Sequence, residues 1–326
     1  MEQKLLLNTL KAEAGRIDAV MEADLAAVES PLLREILRHA LFQGGKRIRP
    51  LLVRYSASLV GEPPADITTL ASVFEYLHAA SLLHDDVIDR ADLRRGRETA
   101  NRRWGNAPVI LGGDYLLARA MELVAAFGGA ECQRLVSEAI RAMVEGEFLQ
   151  MRVAERRDTS EESYFAILQG KTAALIAAAC EVGIVSAGGT MAQRQALRTY
   201  GANLGLAFQI IDDLLDYQGN PEETGKAVGN DFQEGKMTLP LLMTLASAGN
   251  AERARLLELL AASGETRRTA LGEARQLLEG SGAFASARAR AEALIAEAKT
   301  ALTIFPDTTP RQVLAGLAGY VLTRTR

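Results

Sequence analysis

Apolar residues recur along this chain at helical rather than strand spacing. No proline occurs for 112 residues between Pro108 and Pro221. Inside that gap Leu135, Ala139, Ala142, Met143, Gly146 and Leu149 form one stripe, while Glu138, Arg141 and Glu145 fall off it. Proline in a helix interior costs ~3 kcal/mol, so a gap of this length suits long helices. The pattern predicts a first helix over 3–27 and a second over 31–43, opened by Pro31 in its first turn and closed by Gly44-Gly45. Pro50 is expected to open a third. Pro63-Pro64 marks a turn, and a helix from about Asp66 leads to His84-Asp85-Asp86, followed by a polar loop with Arg94-Arg95-Gly96. Further helices are predicted over roughly 109–127, 131–153, 160–187 and 191–217, then a loop rich in Gly and charge over 218–237. Shorter helices fill 241–326, divided by Ser/Gly punctuation near 247–250, 263–265 and 280–283. Alternating strand patterns with Asn-Gly turns are absent. The expected fold is all-α, and a single domain over 1–326, because no linker separates two cores.

Composition narrows the class. The chain has 326 residues, 48% hydrophobic and 24% charged, enough apolar material for a packed core. Its 37 basic and 41 acidic side chains leave a net charge of −4 without a long basic run, which argues against nucleic acid as a partner. Cys132 and Cys180 lie far apart and outline neither a disulfide framework nor a zinc site. The most apolar long stretch, Thr172 to Gly189, carries Glu181 and falls short of the ~20 apolar residues that a bilayer crossing needs. The first sixteen residues show only a three-leucine run, so no signal peptide is visible. The expectation is a soluble, cytoplasmic protein with no transmembrane segment.

One motif occurs twice and carries most of the chemistry. It reads Leu83-His84-Asp85-Asp86-Val87-Ile88-Asp89 and again Ile210-Ile211-Asp212-Asp213-Leu214-Leu215-Asp216. Both place acids at i, i+1 and i+4, and on a helix i and i+4 share a face that i+1 flanks. Each motif follows an apolar run, so its carboxylates are expected at the polar end of a buried helix. Six acids converging on one cavity would repel unless cations neutralised them. Hard oxygen donors with room for water suit Mg²⁺, which takes one or two carboxylates and completes its shell with phosphate oxygens. The plain alternative is a solvated helix end with Asp86 paired to Arg90.

A basic set matches the acidic one. Gly44-Gly45-Lys46-Arg47-Ile48-Arg49-Pro50 puts three cations after a flexible turn, and Arg94-Arg95 puts two just past the first motif. Lys171-Thr172 interrupts an apolar helix, and Lys226 and Lys236 lie in the loop after the second motif. Arginine forks and lysine ammoniums are the usual partners of phosphate oxygens. His78 lies two turns before Asp85 on the same face. No HExxH or CxxC occurs, and no two ExxH motifs, so zinc and di-iron chemistry lack ligands. A nucleophile elbow and a Walker loop are absent too.

These segments resemble the trans-isoprenyl diphosphate synthases, the polyprenyl synthetase family. The similarity runs from Gly44 to Pro240 through GGKRIRP (44–50), LLHDDVID (82–89), RRG (94–96), GGDYL (112–116), GKTAAL (170–175), FQIIDDLLDY (208–217) and GKAVGNDFQEGKMTLP (225–240). The resemblance implies an all-α bundle around a deep central cavity, head-to-tail prenyl transfer, and a homodimer. It implies more than one Mg²⁺ per site, held by Asp85, Asp89 and Asp212, with Asp86, Asp213 and Asp216 supporting geometry and bound water. Lys46, Arg49, His78 and Arg95 would hold the diphosphate of isopentenyl diphosphate. Arg94, Lys171, Thr172, Gln209, Lys226 and Lys236 would hold that of the allylic substrate.

Ala80 and Ser81 lie one turn before Asp85 on its face, and small side chains there leave the cavity open beneath the metals. In the family, aromatic residues at these positions shorten the product, so the pattern looks like the long-chain, octaprenyl-type branch that makes quinone side chains. Met121, Ile140 and Met143 are candidate floor residues. Contact with a membrane would at most be peripheral, for product release. The alternatives are a shorter-chain synthase making geranylgeranyl or farnesyl diphosphate, a class I terpene cyclase, and a regulatory subunit of a two-component synthase. A cyclase has no use for GGKRIRP and normally lacks a second DDxxD. Regulatory subunits tend to lose their aspartates.

Overall fold

The computed structural model describes residues 3–94, 96–156, 158–219, 229–262 and 264–324, with side chains from Thr9 onward. Among the described residues, ten helices precede the charged loop: α1 (Gln3–Ala26), α2 (Pro31–Phe42), α3 (Ile48–Ala57), α4 (Ile67–Ile88), α5 (Ala100–Trp104), α6 (Asn106–Phe127), α7 (Gly129–Arg156), α8 (Glu161–Leu168), α9 (Ala174–Ser186) and α10 (Met191–Gln218). Shorter ones follow: α11 (Asn230–Glu234), α12 (Leu239–Ser247), α13 (Asn250–Ala261), α14 (Gly264–Thr269), α15 (Leu271–Gly280), α16 (Ala283–Ala301) and α17 (Thr309–Thr323). The fold is all-α. Strands among the described residues amount to one hairpin, β1 (Leu93–Arg94) and β2 (Arg97–Glu98), with Leu93 opposite Glu98 and Arg94 opposite Arg97.

Local sequence explains where the helices start. Pro31 sits in the first turn of α2, and the Ser30 hydroxyl accepts the Leu33 amide at 3.3 Å. At α10, Thr190 and Gln193 cap each other reciprocally, through 2.8 and 3.3 Å hydrogen bonds to each other's amides. Three predicted boundaries differ. Helix α3 begins two residues ahead of Pro50, with Arg47 in the left-handed region at φ +51°. The polar loop after the first motif holds the hairpin and then α5. Residues 230–234 of the predicted charged loop are helical.

Packing divides the chain into two compact units, residues 1–140, 175–201 and 301–317 in the first and 141–174, 202–300 and 318–326 in the second. In the first unit α4 is the hub, with α6, α3, α1 and α2 packed on it. Its buried residues run all round the helix from Ile67 to Leu83, and their few polar groups are paired. Tyr76 Oη donates to Asp24 at 2.9 Å, and Glu75 accepts from Arg47 at 2.7 Å. Helix α9 presses on α3 so closely that a Cβ on Gly183 would stand 2.2 Å from the Val53 carbonyl oxygen.

In the second unit the defining feature is a π-helical turn, Gln169–Ala173, between α8 and α9. One residue is added there to an otherwise α-helical run, a device frequent at functional sites. Glycines let neighbouring backbones close on it. A Cβ on Gly170 would stand 2.8 Å from the Ala142 carbonyl oxygen, and one on Gly205 would stand 2.6 Å from Ala173 Cα.

The run Glu161–Ser186 is long and apolar enough to cross a membrane by length and composition, which the shorter Thr172–Gly189 stretch is not. Of its most apolar window, 61% is buried inside the protein. Glu181 within it accepts from Arg198 at 2.6 Å and from Arg194 at 3.3 Å, so its buried charge is compensated.

Candidate active site

The first aspartate motif closes α4. Asp85 is half-buried, Asp86 is buried at 4% exposure, and Asp89, the C-cap, is exposed. Arg94 on β1 donates from Nε to Asp86 Oδ1 at 2.7 Å. The partner of Asp86 is therefore Arg94, eight residues on, rather than Arg90. His84 lies between α4 and α6, with Nε2 3.2 Å from the Ile110 carbonyl oxygen and 3.4 Å from Asp114 Oδ1. A Cβ on Gly113 would sit 2.3 Å from that nitrogen, so the glycine makes room for the ring. His39 stands edge-on to Trp104, with centroids 4.9 Å apart. Burial, then Arg103, lowers its pKa.

The other first-unit candidates separate by exposure. Lys46 is exposed and Arg49 half-buried. Arg47 between them is buried and held by Asp18 and Glu75, both at 2.7 Å, so one of the three cations in GGKRIRP belongs to the core. His78 is half-buried two turns before Asp85. Ala80 is buried, and the Ser81 hydroxyl donates to the His78 carbonyl at 2.9 Å. Met121 and Ile140 are half-buried.

The second motif lies in the last two turns of α10 and repeats the division seen in the first. Asp213, again 4% exposed, accepts from Tyr164 Oη at 2.7 Å and Gln209 Nε2 at 3.1 Å. Burial, and then the charge of Asp231, push its pKa up to about 8. Asp212 is half-exposed and accepts from Arg324 Nη2 at 3.1 Å, while the Arg324 guanidinium lies 4.1 Å from the Phe208 ring centroid. Asp216 accepts the Asn230 and Asp231 amides at 3.1 and 3.0 Å, tying α11 back to α10.

Lys171 projects from the π turn. Its Nζ meets Glu147 at 2.5 Å and Gln150 at 2.9 Å, both on α7. Thr172 donates to Gln209 Oε1 at 3.2 Å, so Thr172, Gln209, Asp213 and Tyr164 form one hydrogen-bonded chain. Lys236 is paired with Asp231 at 3.2 Å and Glu234 at 2.6 Å. Met143 is half-buried on α7. Arg95 and Lys226 lie outside the described residues. The structure thus gathers Lys171, Thr172, Gln209 and Asp213 around one unit's π turn, and Asp86 with Arg94 at the other unit's α4 end. Tyr164, Glu147, Gln150 and Arg324 are additions to which the motifs gave no pointer, and Asp114 had only its place in GGDYL.

The donor set fits a hard divalent cation. Asp85, Asp89, Asp212 and Asp216 all reach solvent, while the middle acid of each motif is bound inside the protein. Within either unit, no three His, Cys, Asp or Glu side chains among the described residues converge to form a metal cage. That suits Mg²⁺, which uses one or two carboxylates with water and phosphate oxygens rather than an all-protein shell.

Comparison with known proteins agrees with this chemistry. The family model described as Polyprenyl synthetase matches residues 30–278. Octaprenyl diphosphate synthase of Escherichia coli (strain K12) is 38% identical over 322 residues, covering 98% of each chain. Short chain isoprenyl diphosphate synthase of Methanothermobacter thermautotrophicus is 36% identical over 326 residues, again with 98% of each covered. A solved polyprenyl synthase from Caulobacter crescentus CB15, complexed with calcium and isoprenyl diphosphate, superposes with a TM-score of 0.88 at 38% identity, covering 98% of this chain and 97% of that one. The chain belongs to the polyprenyl synthetase family. As a member it is a prenyltransferase, and its substrates are isoprenoid diphosphates.

Proposed function

We propose that this protein is a long-chain all-trans polyprenyl diphosphate synthase that condenses isopentenyl diphosphate head-to-tail onto an allylic diphosphate. The observation that carries the reading is the common build of the two motifs. In each, one aspartate is withdrawn from solvent and fixed by a neighbouring side chain, Arg94 on Asp86 and Tyr164 on Asp213, while acids beside it stay outward. Residues 1–326 act as one polyprenyl synthetase domain in this reading.

Asp85, Asp89 and Asp212 would hold Mg²⁺, with Asp86, Asp213 and Asp216 fixing the helix ends that carry them. Bound Mg²⁺ would neutralise the allylic diphosphate and stabilise the charge that builds on it as it leaves. Lys171, Thr172, Gln209, Lys236, Arg94 and Lys226 would position that diphosphate. Glu147 and Gln150 hold the Lys171 ammonium until substrate oxygens replace them. Lys46, Arg49, His78 and Arg95 would hold the diphosphate of isopentenyl diphosphate. The allylic C–O bond breaks with its electrons going to the diphosphate, and the isopentenyl double bond attacks the cation. A proton then passes to the departing diphosphate. Apolar walls keep water from the cation.

Small Ala80 and Ser81 support the long-chain form, and so does the similarity to an octaprenyl diphosphate synthase. The product would serve as an isoprenoid side chain of quinones. The enzyme is read as a cytoplasmic homodimer that touches a membrane only to release product. Incubation with isopentenyl diphosphate, farnesyl diphosphate and Mg²⁺, with mass analysis of products, tests the reading. An all-trans ladder reaching about C40 is expected. Cyclised hydrocarbons, or no use of isopentenyl diphosphate, would refute it.

A further inference from the structure

An exposed cleft of about 250 Å³ lies beside the end of α4, lined by Val87, Arg90, Asp92, Asn101, Arg102 and Asn106. Val87 is two residues from Asp85 and from Asp89, about 200° round the helix from either, so the cleft opens away from the outward carboxylate face.

Arg90 is the informative residue. Helix α4 ends in a Schellman arrangement, with the Ala91 amide donating to the Asp86 carbonyl at 3.0 Å and the Arg90 amide to that of Val87 at 3.3 Å. Arg90 takes the left-handed position of this motif at φ +51°, where glycine is the usual occupant. A side chain there is strained, because its Cβ crowds the following carbonyl oxygen. Arg47 is the other non-glycine residue in this region among the described residues, and its two ion pairs offset the strain. Arg90 has no such offset. Its side chain is exposed at the cleft and has no ion pair or hydrogen bond with any other of the described residues.

The rest of the wall is polar. Arg102 pairs with Asp92 at 3.1 Å, which neutralises the one acid present and leaves the wall net positive through Arg90. Asn101 gives Nδ2 to the Ala91 carbonyl at 3.3 Å, which ties α5 to the end of α4. An arginine that is strained and without a side-chain partner among the described residues, beside a second arginine in one cleft, makes a local concentration of guanidinium donors. We propose that this cleft binds a phosphate-class anion, with Arg90 and Arg102 as its cations and Asn106 as a polar wall. Guanidinium forks match phosphate oxygens in shape and charge. Both an inorganic phosphate or diphosphate and a lipid phosphate headgroup have this chemistry. The inference is independent of the prenyl-transfer reading.

Trp104, the single tryptophan, supplies the probe, because it shares α5 with Asn101 and Arg102. Its fluorescence in the full-length protein is followed during titration with inorganic phosphate and with diphosphate, in EDTA so that no metal bridges the anion. A saturable response is expected. Arg90→Ala should weaken it at least tenfold, and Lys46→Ala should leave it in place. Arg90→Gly should weaken it equally while the thermal midpoint holds or rises, since glycine relieves the strain. A second arm measures co-sedimentation with phosphatidylcholine vesicles with and without phosphatidylglycerol. Arg90-dependent binding that requires phosphatidylglycerol, without a response to free anions, assigns the site to headgroups. No Arg90-dependent effect in either arm overturns the proposal, and a lowered midpoint in Arg90→Gly removes its strain argument.

Discussion

Each aspartate motif divides its acids between protein and solvent, and the division follows from helix geometry. Residues i and i+4 share a face that can turn outward, whereas i+1 is rotated into the packing and needs a partner. Arg94 supplies that partner for Asp86, and Tyr164 with Gln209 for Asp213. Replacing an outward acid should therefore spare the fold and remove the chemistry. Asp85→Ala and Asp212→Ala are each expected to cut condensation by about 10²-fold or more with circular dichroism unchanged. Near-wild-type rates in either would contradict the assignment. The two cysteines test burial at the same scale. Burial pushes the Cys132 thiol up to about 11 and raises Cys180 as well. Both stay protonated from pH 7 to 9, so native protein should resist iodoacetamide across that range, and denatured protein should gain two adducts by mass. Rapid native labelling that rises with pH would show that one of them is exposed.

At the scale of elements, the π turn and its glycines fix where Lys171 points. Gly170 admits the α7 backbone, and a methyl group there has nowhere to go. Gly170→Ala is expected to destabilise the protein by about 1–3 kcal/mol through overpacking, seen as a lower urea midpoint. Gly272, inside α15 with open space around it, gives the opposite sign. Gly272→Ala should stabilise by about 0.4–1 kcal/mol through helix propensity. Equal effects would mean that the crossing is looser than it looks. Ala80 offers a chemical readout of the same geometry. One helical turn is ~5.4 Å, comparable to one isoprene unit. A phenylalanine at Ala80, one turn from Asp85, should shorten the product ladder by several units in mass analysis. An unchanged ladder would place the wall elsewhere.

For the whole molecule, the expectation is a homodimer, and exposed apolar side chains on α6 support it. Leu111 is 64% exposed, and Ile110 and Tyr115 beside it are also open. Light scattering of active protein should give twice the chain mass, and an active species at the single-chain mass would rule the dimer out. Helix periodicity and the proline gap located α6, α7, the α8–α9 run and α10 to within about three residues in the sequence. They missed the hairpin and α5, because two-residue strands and a one-turn helix have no periodicity to read. The candidate acids and most candidate cations were legible as motifs. Their partners were not, because Tyr164 is 49 residues from Asp213 and Arg324 is 112 from Asp212.

Spacing along the chain sufficed to set helix identity and the faces shared by each carboxylate pair, since both depend on rotation per residue alone, and with them the chemistry proposed for those acids. Which acids are buried, that Arg47 is a core residue while the Arg90 side chain has no partner among the described residues, and that Lys171 rides on a π turn were decided by packing. Those outcomes depend on what lies opposite each side chain, and contacts between distant segments leave no periodic trace in the order of residues.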